Sequence, residues 1–145
     1  MSADAAETTK QLHASCVAFE QKAVLIAGAS GSGKSTLALE LLGLGARLIA
    51  DDLTTVERQG RRVFALAPPR LRGVIEARNV GLIRAPFLAR AQVCLVVDLE
   101  KNEPERLPHN HVTDLLGLRV ETIYKVEASH FPAAIRNLVL FGRYA

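Results

Sequence analysis

The stretch Gly28-Ala29-Ser30-Gly31-Ser32-Gly33-Lys34-Ser35 limits what this chain can become more than any other. It satisfies the pattern G-x-x-x-x-G-K-[ST] at every fixed position. An apolar run at residues 23–27 precedes it and a helical pattern follows it. Its glycines allow the backbone to wrap tightly, so that N–H groups turn inward towards phosphate oxygens. The helix that starts at the loop aims its positive end at the same phosphates. Lys34 is placed to reach the β- and γ-phosphates, and the Ser35 hydroxyl is placed to ligate Mg²⁺. A Gly/Ser-rich turn that matches by chance is the alternative, and the strand–loop–helix context argues against it. A nucleoside triphosphate site is therefore expected, with Gly28, Ala29, Ser30, Gly31, Ser32, Gly33, Lys34, Ser35 and Thr36 as its binding residues.

The chain has 145 residues, 49% of them hydrophobic, which is enough for one domain with a core of its own. No apolar run approaches the ~20 residues of a membrane span, and the polar first ten residues do not resemble a secretory signal. The expected organisation is a flexible arm over residues 1–11 and a single domain over residues 12–145. Cys16 and Cys94 both lie in apolar runs and are expected as buried thiols of a cytoplasmic protein, without a disulfide. The net charge is +3, but the charge is unevenly spread. From Arg58 to Arg90 there are eight arginines, and Glu76 is the only acid among them. That stretch suits an anionic partner, either nucleotide phosphates or an acidic protein surface. Nucleic acid is not expected, because the chain has no tryptophan and few aromatic residues to stack on bases.

In chain order, residues 12–19 read as a strand with His13 near its start, and residues 23–27 as a strand buried on both faces. The loop helix runs to about Leu44, with Leu37, Ala38, Leu41 and Leu42 as its apolar stripe and Gly43 and Gly45 as stop signals. Residues 47–50 form a short strand that ends in Asp51-Asp52, where ligands gather in an α/β sheet. Two adjacent acids there can serve Mg²⁺ or take a nucleophile's proton; capping a turn is the plainer role. Residues 53–57 and 63–66 flank Gly60 as a hairpin. Residues 71–84 resist assignment, although Gly81 suits an unusual backbone angle. Within them an ion pair to Arg72 or Arg78 is the ordinary role for Glu76. Residues 93–99 and 120–126 read as strands, residues 100–111 as a polar loop, and residues 132–141 as a helix with Pro132 in its first turn. His109 and His111 lack a third residue that would complete a metal site. The fold class is α/β, a phosphate-loop mixed sheet with flanking helices.

Taken together, His13, the phosphate loop, Asp51-Asp52, the stretch Ile75-Glu76-Ala77-Arg78-Asn79-Val80-Gly81-Leu82-Ile83, residues 96–100 and Glu105-Arg106-Leu107 resemble the catalytic domain of HPr kinase/phosphorylase. That family phosphorylates a serine of the phosphocarrier protein HPr and can reverse the reaction. The resemblance implies ATP and Mg²⁺ as cofactors and HPr as the protein substrate. It implies His13 and Arg106 as active-site residues, Lys34 as the phosphate-loop lysine, and Ser35 and Glu76 as Mg²⁺ ligands. One of Asp51 and Asp52 would take the serine proton, with a lean towards Asp52. Arg78 and Gly81 belong to the same family stretch. Asn79 stands where the family usually has Gly, and Thr36 where it commonly has Glu. The chain is like the reduced, single-domain members of proteobacteria, and a homo-oligomer is compatible with it. A small phosphate-loop kinase acting on a metabolite, and a non-catalytic nucleotide sensor, are the competing readings.

Overall fold

The computed structural model describes residues 8–145. Its main sheet has nine strands, with the path β1 (Thr9–Leu12), β5 (Thr54–Gln59), β6 (Arg62–Leu66), β9 (Arg90–Asn102), β3 (Lys22–Ala27), β2 (Ala14–Phe19) and β4 (Arg47–Ala50). Strand β11 (Leu118–Lys125) joins β9 in parallel, and β10 (His111–Leu115) forms a hairpin with β11. Strands β3 and β9 also run parallel, whereas β2 is antiparallel to both β3 and β4. A separate two-stranded hairpin pairs β7 (Val74–Ala77) with β8 (Gly81–Arg84). The mixed sheet with helices matches the expected fold class.

Helices α1 (Lys34–Gly43) and α2 (Phe131–Phe141) share one face of the sheet. Leu37, Ala38 and Leu41 of α1 and Phe131, Ile135 and Val139 of α2 are buried there with Val24, Ile26, Leu95 and Val97. Full burial of one such Leu or Ile side chain contributes about 1.5–3 kcal/mol. The opposite face has its own core, built from Cys16, Leu25, Ile49, Val56, Val63, Val96 and Val120. Strands β2, β3 and β9 are therefore covered on both sides, which explains their near-continuous apolar sequences.

Several elements differ from the sequence expectation. The arm expected over residues 1–11 extends partly outside the described residues. Within them, Thr9–Leu12 is an edge strand paired with β5, Thr9 opposite Glu57. Its residues are mostly exposed and only Leu12 packs on the core, so backbone pairing is its main support and hydropathy carries little trace of it. The strand expected over residues 12–19 is two strands, with His13 as an exposed bend between them. The polar loop expected over residues 100–111 gives up its ends to β9 and β10, and β10 itself alternates exposed and partly buried residues at the sheet's margin. The unassigned residues 71–84 hold the β7–β8 hairpin, whose turn places Asn79 at φ 67° and Gly81 at φ 133°. Asn accepts that left-handed angle better than most residues do. No helix among the described residues is long and apolar enough to cross a membrane.

Candidate phosphate and metal site

Strand β3 ends at Ala27, and the loop that follows delivers the chain into α1. Gly28 has φ 155°, and a Cβ there would stand 2.5 Å from Ser32 Oγ, so the first loop position admits only glycine without a shift. Gly33, the residue before α1, has φ 100° and offers no side chain to cap the helix. The first turn of α1 holds no acidic residue either. Its leading N–H groups therefore lack a capping side chain, as a helix end built to receive an anion requires.

Lys34 is buried, and its Nζ donates to Gly28 O at 2.9 Å and Ala29 O at 3.0 Å. Those bonds fold the ammonium back over the loop, 4.0 Å from Asp52 Oδ1. The two adjacent acids differ sharply. Asp51 is held by three donors: Ser35 Oγ at 2.7 Å and Ser15 Oγ at 2.9 Å, both to Oδ1, and the Glu76 backbone N–H at 3.2 Å to Oδ2. Asp52 has a left-handed backbone, φ 68°, and its side chain is 74% exposed. Its own N–H donates to Ser15 Oγ at 3.0 Å. One buried serine thus fixes both acids, orienting Asp51 inward and leaving the Asp52 carboxylate free.

A cavity of about 220 Å³ opens over this group. Its lining includes Ser30, Gly31, Gly33, Lys34, Ser35 and Thr36 from the loop and helix, and Asp51, Asp52, Glu76 and Arg78 from β4 and the β7–β8 hairpin. The hairpin is what brings Glu76 and Arg78 to the loop. The ion pair weighed for Glu76 is not formed: among the described residues it has no cation within 4.0 Å, and Arg72 Nε donates instead to Pro68 O. His13 and Arg106 are exposed and lie outside the cavity lining, and Gly81 serves the hairpin rather than the cavity. Among the described residues no group of three or more His, Cys, Asp or Glu side chains could hold a metal by itself. The donors present at the cavity, Ser35 Oγ and the Asp51 and Glu76 carboxylates, are hard oxygens. They fit Mg²⁺, which binds through few protein ligands and keeps waters and phosphate oxygens for the rest.

Two residues escaped the sequence reading. Ser15 is a fully buried serine inside the otherwise apolar strand β2, and that contrast was its only signal. Glu100 sits in the last part of β9, where its Oε2 accepts the Ala29 N–H at 2.9 Å and so ties the loop to the strand beside β3.

Comparison with known proteins gives the family and the fold. A family profile described as the HPr Serine kinase C-terminal domain covers residues 4–129. The chain is 34% identical over 139 residues to the HPr kinase/phosphorylase of Nitrosomonas europaea, covering 81% of this chain and 43% of that protein. It is 36% identical over 137 residues to the HPr kinase/phosphorylase of Leptothrix cholodnii, covering 81% of this chain and 42% of that protein. The chain thus spans less than half the length of these curated relatives. Its fold is similar to that of the Hpr(Ser) kinase/phosphatase from Coxiella burnetii, with a TM-score of 0.74 and 24% identity over 90% of this chain and 93% of that one. The phosphate loop, the paired acids and the hairpin acid therefore occur in a chain that belongs to the HPr serine kinase C-terminal domain family.

Proposed function

We propose that this chain is an ATP- and Mg²⁺-dependent protein serine kinase whose acceptor is a seryl hydroxyl of the phosphocarrier HPr, working in the cytoplasm. The relatives' names support the acceptor, and the geometry supports the chemistry. The observation that carries it is the contrast between Asp51 and Asp52: Asp51 is fixed by three hydrogen-bond donors, whereas the exposed Asp52 carboxylate accepts none among the described residues and stands 4.0 Å from the loop lysine.

The backbone of residues 28–35 and the positive end of α1 hold the phosphates of ATP, and Lys34 neutralises charge on the transferring group. Ser35, Asp51 and Glu76 would hold Mg²⁺, which when bound spreads the negative charge of the β- and γ-phosphates. Asp52 accepts the proton of the serine hydroxyl as that oxygen bonds to the γ-phosphorus. The bond from the γ-phosphorus to the bridging oxygen breaks, and ADP leaves with the electron pair. Arg78 faces the same cavity and adds positive charge beside the leaving phosphates. Run backwards, a β-phosphate oxygen of ADP attacks the phosphorus, the bond to the serine oxygen breaks, and Asp52 returns its proton to that oxygen.

The test is transfer of label from γ-labelled ATP, with Mg²⁺, to HPr carrying either its acceptor serine or alanine there. Serine-dependent labelling is the expected result. ATP bound but no label on serine HPr would overturn the protein-kinase reading and leave a metabolite kinase or a nucleotide sensor.

A further inference from the structure

Strand β9 outruns its parallel neighbour β3. Ala27, the last residue of β3, pairs with Asp98, and β9 continues through Leu99 to Asn102, past the start of the phosphate loop. Asp98 Oδ1 accepts the Glu100 N–H at 2.9 Å and fixes the backbone there. The exposed Glu100 side chain turns to the loop, where its Oε2 accepts the Ala29 N–H at 2.9 Å. That N–H belongs to the same peptide unit as the Gly28 carbonyl, and a trans peptide points the two in opposite directions. On the carbonyl side, Gly28 O accepts from Lys34 Nζ at 2.9 Å. One planar unit thus lies between a carboxylate at its N–H end and an ammonium at its C=O end. Both charges match the dipole of the peptide, so each bond strengthens the other.

We infer that Glu100 is a positioning residue for Lys34 and acts on it through the Gly28–Ala29 peptide. The inference deepens the nucleotide reading above and rests on it. An ammonium has three N–H donors. Two of those on Lys34 go to Gly28 O and Ala29 O, at 2.9 and 3.0 Å. The third is left for a phosphate oxygen in the cavity that Lys34 lines. Ala29 O is itself fixed, since it also accepts the Ser32 N–H at 3.0 Å. The Gly28 carbonyl is fixed from the far end of its peptide, by the bond to Glu100. With both carbonyls held, the direction of the third N–H follows, because the three diverge tetrahedrally from Nζ. Two plainer roles for Glu100 give other results. A carboxylate that only repels phosphate would, once removed, let ATP bind more tightly. A carboxylate that only braces the fold would lower the melting temperature. The contact is exposed, so after truncation water takes the place of the carboxylate at the Ala29 N–H; stability then changes little, and direction is what is lost.

The experiment is a calorimetric titration with ATP, in Mg²⁺, of the unaltered chain, Glu100→Ala, Glu100→Gln, Lys34→Ala and the Lys34→Ala/Glu100→Ala double variant, with a melting curve for each. Glu100→Ala should weaken ATP about tenfold, the order of one hydrogen bond to a charged group, and melt within about 2 °C of the unaltered chain. The amide oxygen of glutamine still accepts the Ala29 N–H, so Glu100→Gln should bind ATP within about threefold of the unaltered chain. In the Lys34→Ala background, Glu100→Ala should cost less than about twofold, because the residue it acts through is gone. Equal losses in the two backgrounds overturn the inference, as does a Glu100→Gln variant as weak as Glu100→Ala. Unchanged or tighter ATP binding in Glu100→Ala overturns it, and so does a clear fall in its melting temperature. Should Lys34→Ala bind ATP too weakly to titrate, rescue by Glu100→Gln decides. Failure of the unaltered chain to bind ATP would instead strike the nucleotide reading itself, whereas failure to label HPr would strike the acceptor alone.

Discussion

Ser35 Oγ donates a 2.7 Å hydrogen bond to Asp51 Oδ1, so the last residue of the phosphate loop and the end of strand β4 hold each other in place. These two oxygens come from residues 16 apart in sequence and face the phosphate cavity together. Under the proposed function, their contact leaves the adjacent Asp52 as the acid for proton transfer.

Replacing each acid should therefore produce different losses. Asp52→Asn should keep ATP affinity and lower phosphoryl transfer by roughly 10²–10⁴-fold, the usual worth of a positioned base. Asp51→Asn should raise the Mg²⁺ concentration needed for half-maximal binding of ATP. Separate titrations of ATP affinity, metal dependence and transfer rate check this. Transfer at the unaltered rate in Asp52→Asn would remove Asp52 from its role as base.

Ser15→Ala removes the hydroxyl that donates to Asp51 and accepts from the Asp52 N–H. The cost should be about 1–3 kcal/mol, because two partners in a largely dry place lose their bonds. Denaturant unfolding measures it. Ser15→Cys, similar in size but a poor hydrogen-bonding group, should lose nearly as much.

Gly28→Ala places a methyl group 2.5 Å from Ser32 Oγ and 3.3 Å from Leu99 Cβ, on a backbone with φ 155°. Strain of about 1–3 kcal/mol is expected, together with a clear loss of ATP affinity as the loop shifts. Gly31→Ala is the control. Its Cβ would meet nothing within 4 Å, so only the backbone angle, φ 83°, opposes it. Calorimetric affinities for the two variants should therefore rank Gly28→Ala as the weaker binder.

The start of β10 is anchored by His111 Nε2 and Glu103 Oε1, 2.8 Å apart, with the imidazole stacked on Tyr124 at 3.8 Å. The hydrogen bond from His111 holds the Glu103 carboxyl below its ordinary range. A carboxylate depressed in the folded state contributes stability above its unfolded pKa, and that contribution is lost as pH falls through the folded value. Wild type should therefore melt above Glu103→Ala at pH 7, and the gap should close as pH falls below the ordinary carboxylate range. Melting curves from pH 7 to pH 3 check it; a gap independent of pH would mean that packing alone is lost.

Both cysteines are free, and burial pushes both thiols up. Cys16 is fully buried, whereas Cys94 is half-buried beside Lys22, whose charge opposes the shift. A thiol reagent should modify Cys94 slowly in the folded protein and reach Cys16 only on unfolding. Mass spectrometry of timed samples distinguishes the two sites. Equal rates would show that β2 opens as readily as the outer part of β9.

Much of this was written locally in the chain. The phosphate loop fixes its own conformation through glycines at positions where positive φ is needed, and its helix follows from an apolar stripe at helical spacing. The two-sided burial of β2, β3 and β9 is visible as apolar runs. The elements that escaped a sequence reading lie at the margins. Strands β1 and β8 are mostly exposed, and β7 buries only Ile75 and Ala77, so these short elements leave little periodic signal.

The amino-acid sequence by itself determined the phosphate-loop pattern of residues 28–35 and the acid pair at the end of the next strand, because both depend on short stretches of backbone. The tertiary structure alone decided how the two acids differ in their surroundings. Asp51 and Asp52 are chemically identical and adjacent, and a buried hydroxyl brought from β2, a backbone N–H brought from β7 and the Ser35 hydroxyl fix one of them while the other stays exposed beside Lys34. It also decided that Glu76, isolated among arginines in the sequence, would face the phosphate loop instead of a cation. Contacts between residues far apart in sequence exist only once the sheet has closed, and no pattern along the chain records them.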